Sequence, residues 1–255
     1  NLNDLVQTTL NIEGVLSGEA AVFDLYDNAY FLSDLKIAGF GLRNYLFGDV
    51  SMVNKWDGIS EVIDSEVTIN KNDRNILLAR GSYSPIDSKL DFNVEANGLS
   101  VTALQPFMEG SFSDFKGEAF GKVRLHGDPS QILLDGGLYG KNVGLTLTYL
   151  QTSYTFSDTV RIAGDSIIFD RIQVKDVDGN TAVFDGSIKH KNFENMIYDL
   201  TFTTPRILAI NTNAGDNERF YGKLYASGNL AITGPGLTVY LDATGRTERG
   251  TELNI

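Results

Sequence analysis

A strict alternation of apolar and polar residues runs from Tyr221 to Gly234, in the sequence YGKLYASGNLAITG. One parity carries only small or apolar residues: Leu224, Ala226, Gly228, Leu230 and Ile232. The opposite parity carries mostly polar residues: Lys223, Tyr225, Ser227, Asn229 and Thr233. Successive side chains of a strand point to opposite faces, so this stretch predicts a β-strand with one apolar face.

The same alternation recurs in GEAFGKVRLHG (117–127) and in AVFDGSIKH (182–190). In each stretch a glycine falls among the apolar positions, at Gly121, Gly186 and Gly228. Glycine inside a strand marks a bend or a close approach by another backbone or a ligand. We interpret these glycines as bare positions that leave unfilled space on an apolar face, and we expect the bent strands to form a trough.

Most of the remaining chain also reads as strands, with little helix. After residue 110 we predict strands at 118–126, 131–139, 143–149, 152–157, 159–163, 166–169, 171–176, 180–189, 196–204, 219–233 and 237–246. Turn signals separate several of them, at 127–130, 140–142, 176–180 and 234–236. The DVDGN hairpin at 176–180 is expected to pair Ile172 and Val174 with an apolar row on the next strand, made by Ala182, Phe184 and Ile188.

Two short segments favour helix instead. Residues 27–34 (DNAYFLSD) predict a helical turn within a region, 10–57, whose strand alternation is weaker. Leu99–Glu109 has apolar residues at helical spacing, with Pro106 limiting its length, and is expected to cap an end of the sheet.

More than a dozen strands with almost no helix predict a barrel, a sandwich, a solenoid or a long curled sheet. A sandwich fills its inward positions with large side chains to reach native packing density. The inward glycines therefore favour the curled sheet: an all-β, antiparallel-rich fold with a U-shaped apolar groove.

Composition excludes several functions. The formal net charge of −12 argues against nucleic acid as a partner, because such binding needs a basic face. The sequence has no run of 18 apolar residues, the length that a membrane-spanning helix needs. The sequence begins and ends within strand-like patterns, so we interpret it as an internal fragment that is soluble by itself.

The sequence offers no enzyme site. Its two histidines, His126 and His190, both fall near strand ends, and no nucleophile or metal-binding motif accompanies them. The DVDGN segment lacks the acidic spacing of a calcium loop and reads as a hairpin turn. We expect no catalytic residue, no metal site and no cofactor.

Aromatic residues give one alternative. A stripe that binds glycan or protein would be formed by Tyr139, Tyr149, Tyr154, Phe156, Tyr221, Tyr225 and Tyr240. Cross-strand packing of these side chains is the competing interpretation.

Three segments carry a family resemblance. They are D-x-D-G-N-x-A-x-x-x-G-x-I-x-H at 176–190, YG-x-x-Y-A-x-G at 221–228 and T-x-x-G-T at 247–251. In this order they resemble the TamB family, in its Bacteroidetes-type branch, most strongly from about residue 100 to the end. We divide the chain accordingly into 1–98, the first part of the sheet, and 99–255, a TamB-like β-groove that continues it.

The resemblance implies an AsmA-like, bridge-type periplasmic protein that is anchored in the inner membrane. Such proteins are expected to move phospholipid between the two membranes, to work with an Omp85-class (TamA-like) outer-membrane barrel, and to assist nascent outer-membrane barrels and autotransporters. The implied partners of the groove are phospholipid acyl chains, with edge strands as possible templates for β-augmentation.

By parity, the predicted groove-lining residues are Val123, Leu125, Leu138, Leu145, Leu147, Ile172, Val174, Phe184, Ile188, Leu200, Phe202, Leu224, Leu230 and Ile232, shaped by Gly121, Gly186 and Gly228. An extracellular or periplasmic binding or adhesion module is the alternative function.

Overall fold

A computed structural model describes residues 11–24, 30–59, 61–108, 110, 112–191, 194–216, 219–235 and 238–254. The strands are β1 (Ile12–Phe23), β2 (Tyr30–Leu42), β3 (Tyr45–Asp57), β4 (Val62–Lys71), β5 (Arg74–Ser84), β6 (Lys89–Ser100), β7 (Phe112–Asp128), β8 (Gln131–Leu147), β9 (Thr152–Gly164), β10 (Ser166–Lys175), β11 (Thr181–Lys191), β12 (Glu194–Thr212), β13 (Tyr221–Pro235), β14 (Tyr240–Thr247) and β15 (Glu252–Asn254). One short 3-10 helix spans Val101–Phe107.

The strands form one 15-stranded sheet in which β1 to β14 follow one another in chain order and β15 pairs with β13. The pairings whose register the structure gives are all antiparallel. Over the described residues β1 and β14 are the two ends of this order, so the sheet is not closed into a barrel. The predicted fold class is therefore confirmed: an all-β chain with a long antiparallel sheet, consistent with a curled groove.

Contacts divide the chain into two compact units. Unit 1 contains residues 1–99 and 120–136, and unit 2 contains residues 100–119 and 137–255. The predicted division of the sheet at residues 98 and 99 stays a prediction.

Unit 1 has its core on one face of β2–β6. The register aligns Ile37, Val50, Ile69 and Leu77 in one row across four strands, and Ile37, Val50 and Ile69 are buried. Four residues away on the same face, the register aligns Ser33, Asn54 and Ser65. A polar row therefore crosses an apolar face.

Unit 2 has its core on β10–β12, where Ile172, Val174, Ala182 and Ile207 form a buried cluster. The DVDGN hairpin pairs Val174 with Ala182 and Ile172 with Phe184, as predicted, whereas Ile188 pairs with Ile167 on the other side of the bulge. Apolar residues of β10 thus face apolar residues of β11 along the whole hairpin.

Several predicted strand ends are wrong, because the chain absorbs irregular residues inside longer strands. The turn predicted at 140–142 lies within β8, where Asn142 has a φ of +50° and its N–H donates to Ser157 Oγ at 2.8 Å. The predicted strands 152–157 and 159–163 are one strand, β9. The break predicted near residue 170 is a bulge in β10, with Arg171 at a φ of +50°.

The two predicted helical segments have different outcomes. A helix does form within residues 99–109, as a 3-10 helix whose cap residue Ser100 accepts a hydrogen bond from the Thr102 N–H at 3.3 Å. Glu109 lies outside the described residues. The helical turn predicted at 27–34 is wrong for residues 30–34, which pair with both β1 and β3, and residues 27–29 lie outside the described residues.

Candidate functional site

An aromatic ladder marks the apolar face of unit 2. The rings of Phe169 and Phe184 have centroids 4.6 Å apart, and those of Phe184 and Phe202 are also 4.6 Å apart. Phe202 pairs in register with Leu230 of β13, which pairs with Ala243 of β14. Cross-strand aromatic pairs contribute about 0.5–1.5 kcal/mol beyond the area they bury. The ladder thus fixes a continuous apolar row from β10 to β14.

A second apolar row runs parallel to the ladder. The register aligns Leu200 with Ile232, and Ile232 with Leu241 of β14. Leu200 is buried and Ile232 is half-buried, whereas Leu241 is 68% exposed. Exposure of the apolar face therefore increases toward β14.

The predicted lining residues divide into groups when they are placed on the strands. The register brings one group together on the same face of β10–β13: Ile172, Val174, Phe184, Ile188, Leu200, Phe202, Leu230 and Ile232. Leu224 lies further along β13, opposite Ile210. Val123 and Leu125 belong to unit 1, and β8 carries Leu138, Leu145 and Leu147 in unit 2. Their role as lining residues stays a prediction.

Two residues of the face were missed. Phe169 reaches it because the bulge at Arg171 reverses the parity of β10. The break predicted near residue 170 marks the position of the bulge but not the reversal of parity. Leu241 was within the predicted strand 237–246 but was not assigned to the groove. Its register with Ile232 is the signal that identifies it.

The interpretation of the inward glycines needs a correction. A Cβ atom built on Gly186 would lie 2.1 Å from the backbone oxygen of Asp199, and one on Gly228 would lie 2.2 Å from that of Thr244. Both glycines have positive φ, at +125° and +134°, and Gly121 has a φ of +141°. The expected close approach by another backbone is confirmed at Gly186 and Gly228, but the unfilled space is not there, because the neighbouring strand occupies it.

One end of the apolar face is enclosed by protein. Ile172 is 0% exposed and Leu208 of β12 is 2% exposed. Pairing between β11 and β12 reaches only to Val183 and Thr203, so residues 205–212 of β12 extend beyond β11. We call these residues the overhang.

Three hydrogen bonds, which we call the seam, hold Leu208 and Asn211 of the overhang to the hairpin turn, to β9 and to the turn before β9. A further bond joins Arg206 of the overhang to Asn180 Oδ1 of the hairpin turn at 3.2 Å. The Leu208 N–H donates to Asp176 Oδ2 at 2.8 Å, and the Tyr154 hydroxyl donates to the Leu208 carbonyl at 2.8 Å. The Asn211 N–H donates to the Leu150 carbonyl at 2.9 Å. Burial raises the pKa of Tyr154, so its hydroxyl keeps the proton that it donates. These groups satisfy backbone atoms that β11, which is shorter, does not reach.

Asp176 is the centre of the hairpin turn and is buried. Its Oδ1 accepts from the N–H groups of Asp178 at 3.0 Å and Asn180 at 2.8 Å, and its Oδ2 also accepts from Asn180 Nδ2 at 2.8 Å. Together with the bond from Leu208, this carboxylate accepts four hydrogen bonds. The carboxylate thus acts as a turn cap and not as a metal ligand or a base.

The three segments that carried the family resemblance meet at this turn. Asp178 Oδ2 accepts from the Tyr225 hydroxyl at 2.6 Å, which raises the pKa of Tyr225. The Arg206 guanidinium lies 4.1 Å from the centroid of the Tyr225 ring and donates to Asn180 Oδ1 and to the Arg249 carbonyl. The segments are therefore one structural cluster, far apart in sequence.

Thr251 completes this cluster. Its hydroxyl accepts from the Tyr225 N–H and lies within hydrogen-bond distance of the Tyr225 carbonyl, each at 3.1 Å. The Glu248 N–H donates to the same carbonyl at 2.7 Å. The final T-x-x-G-T segment thereby holds β13 in place at Tyr225.

The histidines do not come together. His126 Nε2 lies 2.7 Å from Asp135 Oδ2 in unit 1, and His190 is buried at the end of β11 in unit 2. Burial lowers the pKa of His190. Within the described ranges no group of three or more His, Cys, Asp or Glu side chains is arranged to hold a metal ion.

The aromatic residues considered as a binding stripe do not share one exposed surface. Tyr154 and Tyr225 are engaged in the hydrogen bonds above, and Tyr225 is buried. Tyr139, Tyr149 and Tyr240 are exposed. Among the described residues no helix has the length and apolar character to cross a membrane.

Comparison with known proteins gives one match. Residues 170–254 match the family described as the TamB C-terminal domain, so the TamB resemblance is confirmed for a segment that begins in β10 and ends in β15. The Bacteroidetes-type branch stays a prediction. No curated protein and no solved structure matches the chain.

Proposed function

The chain is assigned to the TamB family through residues 170–254, and from this premise we propose that the apolar face of β10–β14 holds phospholipid acyl chains in transit between the inner and outer membranes. The resemblance to this family implies a bridge-type periplasmic protein that transfers lipid and works with a TamA-like partner. The proposal accordingly involves no catalytic step and no cofactor.

One observation carries the proposal: two apolar rows continue across β11–β14 while remaining partly open to solvent. Phe184, Phe202, Leu230 and Ile232 are half-buried, and Leu241 is exposed. Scattered exposed apolar residues are ordinary, but contiguous rows mark binding surfaces. Each CH₂ group that such a surface shields from water contributes about 0.8 kcal/mol. A surface that shields an acyl chain on one side retains it weakly, which favours movement along the face over permanent capture.

Exposure divides the predicted lining residues of this face into an enclosed group and an accessible group. Ile172 and Val174 are fully enclosed by neighbouring side chains and contribute to the core of unit 2. Phe184, Phe202 and Leu230 remain accessible for contact with lipid. We expect substitutions in the second group to affect lipid binding before they affect folding.

The experiment is native mass spectrometry of the purified chain after exposure to phosphatidylethanolamine vesicles, followed by lipid extraction. We expect wild type to carry phospholipid and Leu230→Asp and Phe184→Asp to lose it. Asn229→Asp is the matched control, since it places the same charge one residue away on the opposite, exposed face of β13.

Folding of each variant is checked by circular dichroism. Leu241→Asp is included because its side chain is 68% exposed, so its substitution does not disturb a core. Equal lipid retention by Leu241→Asp, Leu230→Asp and Asn229→Asp would overturn the proposal. Binding of glycan or protein by a lipid-free chain would instead support the adhesion-module alternative.

We further propose that this activity belongs to a longer protein that is anchored in the inner membrane and works with an Omp85-class, TamA-like barrel. Assistance to nascent outer-membrane barrel proteins is part of the same proposal and rests on the family match alone. Co-purification of the full-length protein with the barrel tests it. Unchanged lipid transfer after deletion of the barrel protein would contradict it.

A further inference from the structure

We propose that the seam is a gate in unit 2: while it is closed, an acyl chain on the apolar face stops before the enclosed end, and while it is open, the chain passes beyond. This inference rests on the proposed lipid function of the same face. It concerns how far along the face a lipid can travel.

The face changes character over a short distance. Phe184 and Phe202 are half-buried, yet Ile172, which pairs with Phe184 on the neighbouring strand, is 0% exposed. Val174 and Ile207 lie in the same enclosed cluster. An acyl chain lying along the open rows therefore meets protein side chains at the level of Ile172.

The seam is what encloses that end. β9 and β12 are separated by β10 and β11 in the sheet order, yet the Tyr154 hydroxyl of β9 lies 2.8 Å from the Leu208 carbonyl of β12. In the turn just before β9, the Leu150 carbonyl lies 2.9 Å from the Asn211 nitrogen. The sheet must therefore roll past the tip of the β10–β11 hairpin for β12 to reach β9. The side chains of Asp176 and Tyr154 hold Leu208 at this junction, through its N–H and its carbonyl respectively.

The seam has fewer backbone hydrogen bonds than the other side of the overhang. On its other side the overhang keeps a strand pairing with β13, from Ile207 and Ala226 to Thr212 and Gly222. Across the seam, two of the three hydrogen bonds use a side chain, and one is between backbones. Asp176 stays fixed in the turn by its bonds to Asp178 and Asn180, so opening requires Leu208 to leave Asp176 and Tyr154, and neither bond is part of the β12–β13 ladder. Opening thus moves β12 and β13 together away from β9.

A disulfide lock tests the gate. The chain contains no cysteine, so Leu150→Cys combined with Asn211→Cys introduces a single possible bridge across the seam. The probe is a phosphatidylethanolamine that carries a photoreactive diazirine in one acyl chain, and the labelled peptides are identified by mass spectrometry.

We expect the reduced protein to be labelled on both peptides: the one that contains Leu230 and Ile232 and the one that contains Ile172. In the oxidised protein we expect loss of labelling at Ile172 with unchanged labelling at Leu230. Thr201→Cys combined with Ala231→Cys is the matched control, because these residues already face each other in the β12–β13 pairing and their bridge should change neither site.

A second variant acts in the opposite direction without a cross-link. Tyr154→Phe removes the hydroxyl that donates to Leu208 while keeping the ring, and we expect increased labelling at Ile172. Tyr139→Phe removes a hydroxyl from an exposed tyrosine of β8 and should leave the labelling unchanged.

The outcomes separate this inference from the proposed function. Labelling at Leu230 that is unaffected by the lock, with labelling at Ile172 equal in both redox states, overturns the gate and keeps the lipid function. Labelling at Leu230 with none at Ile172 in either state, and none in Tyr154→Phe, also overturns the gate, since the end is then a fixed plug. Absence of labelling at both peptides overturns the lipid function itself.

Discussion

The apolar faces of the two units are built on the same antiparallel pairing, but different residues cross them. In unit 1 the row Ser33–Asn54–Ser65 interrupts the face, with Asn54 Nδ2 donating to Ser33 Oγ at 3.0 Å and Ser65 Oγ donating to Asn54 Oδ1 at 2.7 Å. In unit 2 the corresponding feature is the aromatic ladder of Phe169, Phe184 and Phe202. The polar row satisfies its own hydrogen bonds, whereas the ladder offers only apolar contact. The two units thus share antiparallel strand pairing, and the side chains in the rows across the strands determine whether each face offers polar or apolar contacts.

Unit 2 also contains a buried carboxylate, and its removal should produce the largest effect. Asp176→Ala takes an acceptor from three backbone N–H groups and from the Asn180 amide. Leaving buried donors unpaired costs about 1–3 kcal/mol for each group, so we expect a loss of several kcal/mol in the free energy of unfolding. Urea unfolding measures it. Asp178→Ala, at an exposed residue, should lose much less, and equal losses would show that Asp176 does not hold the turn.

The polar row of unit 1 should be sensitive to partial removal and tolerant of complete removal. Asn54→Leu leaves Ser33 and Ser65 without their shared partner, and we expect a loss of about 1–3 kcal/mol in unfolding free energy. The triple variant Ser33→Ala, Asn54→Leu, Ser65→Ala removes all partners together and should be close to neutral. Urea unfolding of the two variants checks this. A triple variant less stable than the single one would mean that the row supports the strands in another way.

The aromatic ladder should show measurable coupling. Phe184→Leu and Phe202→Leu, made separately and together, form a double-mutant cycle for the stacked pair, and we expect a coupling of about 0.5–1.5 kcal/mol. Chemical unfolding gives the four stabilities. Strict additivity would mean that Phe184 and Phe202 are two independent, half-buried rings.

The smallest expected difference concerns pH. Burial lowers the pKa of His190 in unit 2 below its ordinary value of 6.5. The unfolded chain then binds the proton more readily, so stability is fully present above pH 6.5 and declines as pH falls from there through the folded pKa. Thermal unfolding across this range should show a slope that His190→Gln reduces. Equal slopes in wild type and His190→Gln would contradict the assignment.

The sequence could predict features that depend on uninterrupted alternation. The pairing of Ile172 with Phe184 and of Val174 with Ala182 followed from parity and from the turn between them. Phe169 could not be assigned, since the break predicted near residue 170 does not show that a single bulge at Arg171 reverses parity. The weak alternation of residues 10–57 now has a physical cause, because inward positions such as Ser33 and Asn54 are polar.

The seam could not be predicted from local sequence patterns, because its residues are far apart in the sequence. It joins Leu150, Asp176 and Leu208, which are brought together only by the roll of β9–β12. The motif segments were recognisable as sequence, but their convergence on Tyr225 required coordinates.

The close approach at Gly186 has a consequence for how such a chain can change over generations. Any side chain at this position collides with the Asp199 carbonyl, so the path of the backbone is fixed by a residue that tolerates no replacement. Its neighbours in the apolar rows carry no such restriction, and Phe, Leu and Ile already alternate there. Substitution at Gly186 would therefore have to move β11 or β12, whereas substitutions among the neighbouring apolar residues would change the surface of the face and leave the path of the backbone unchanged.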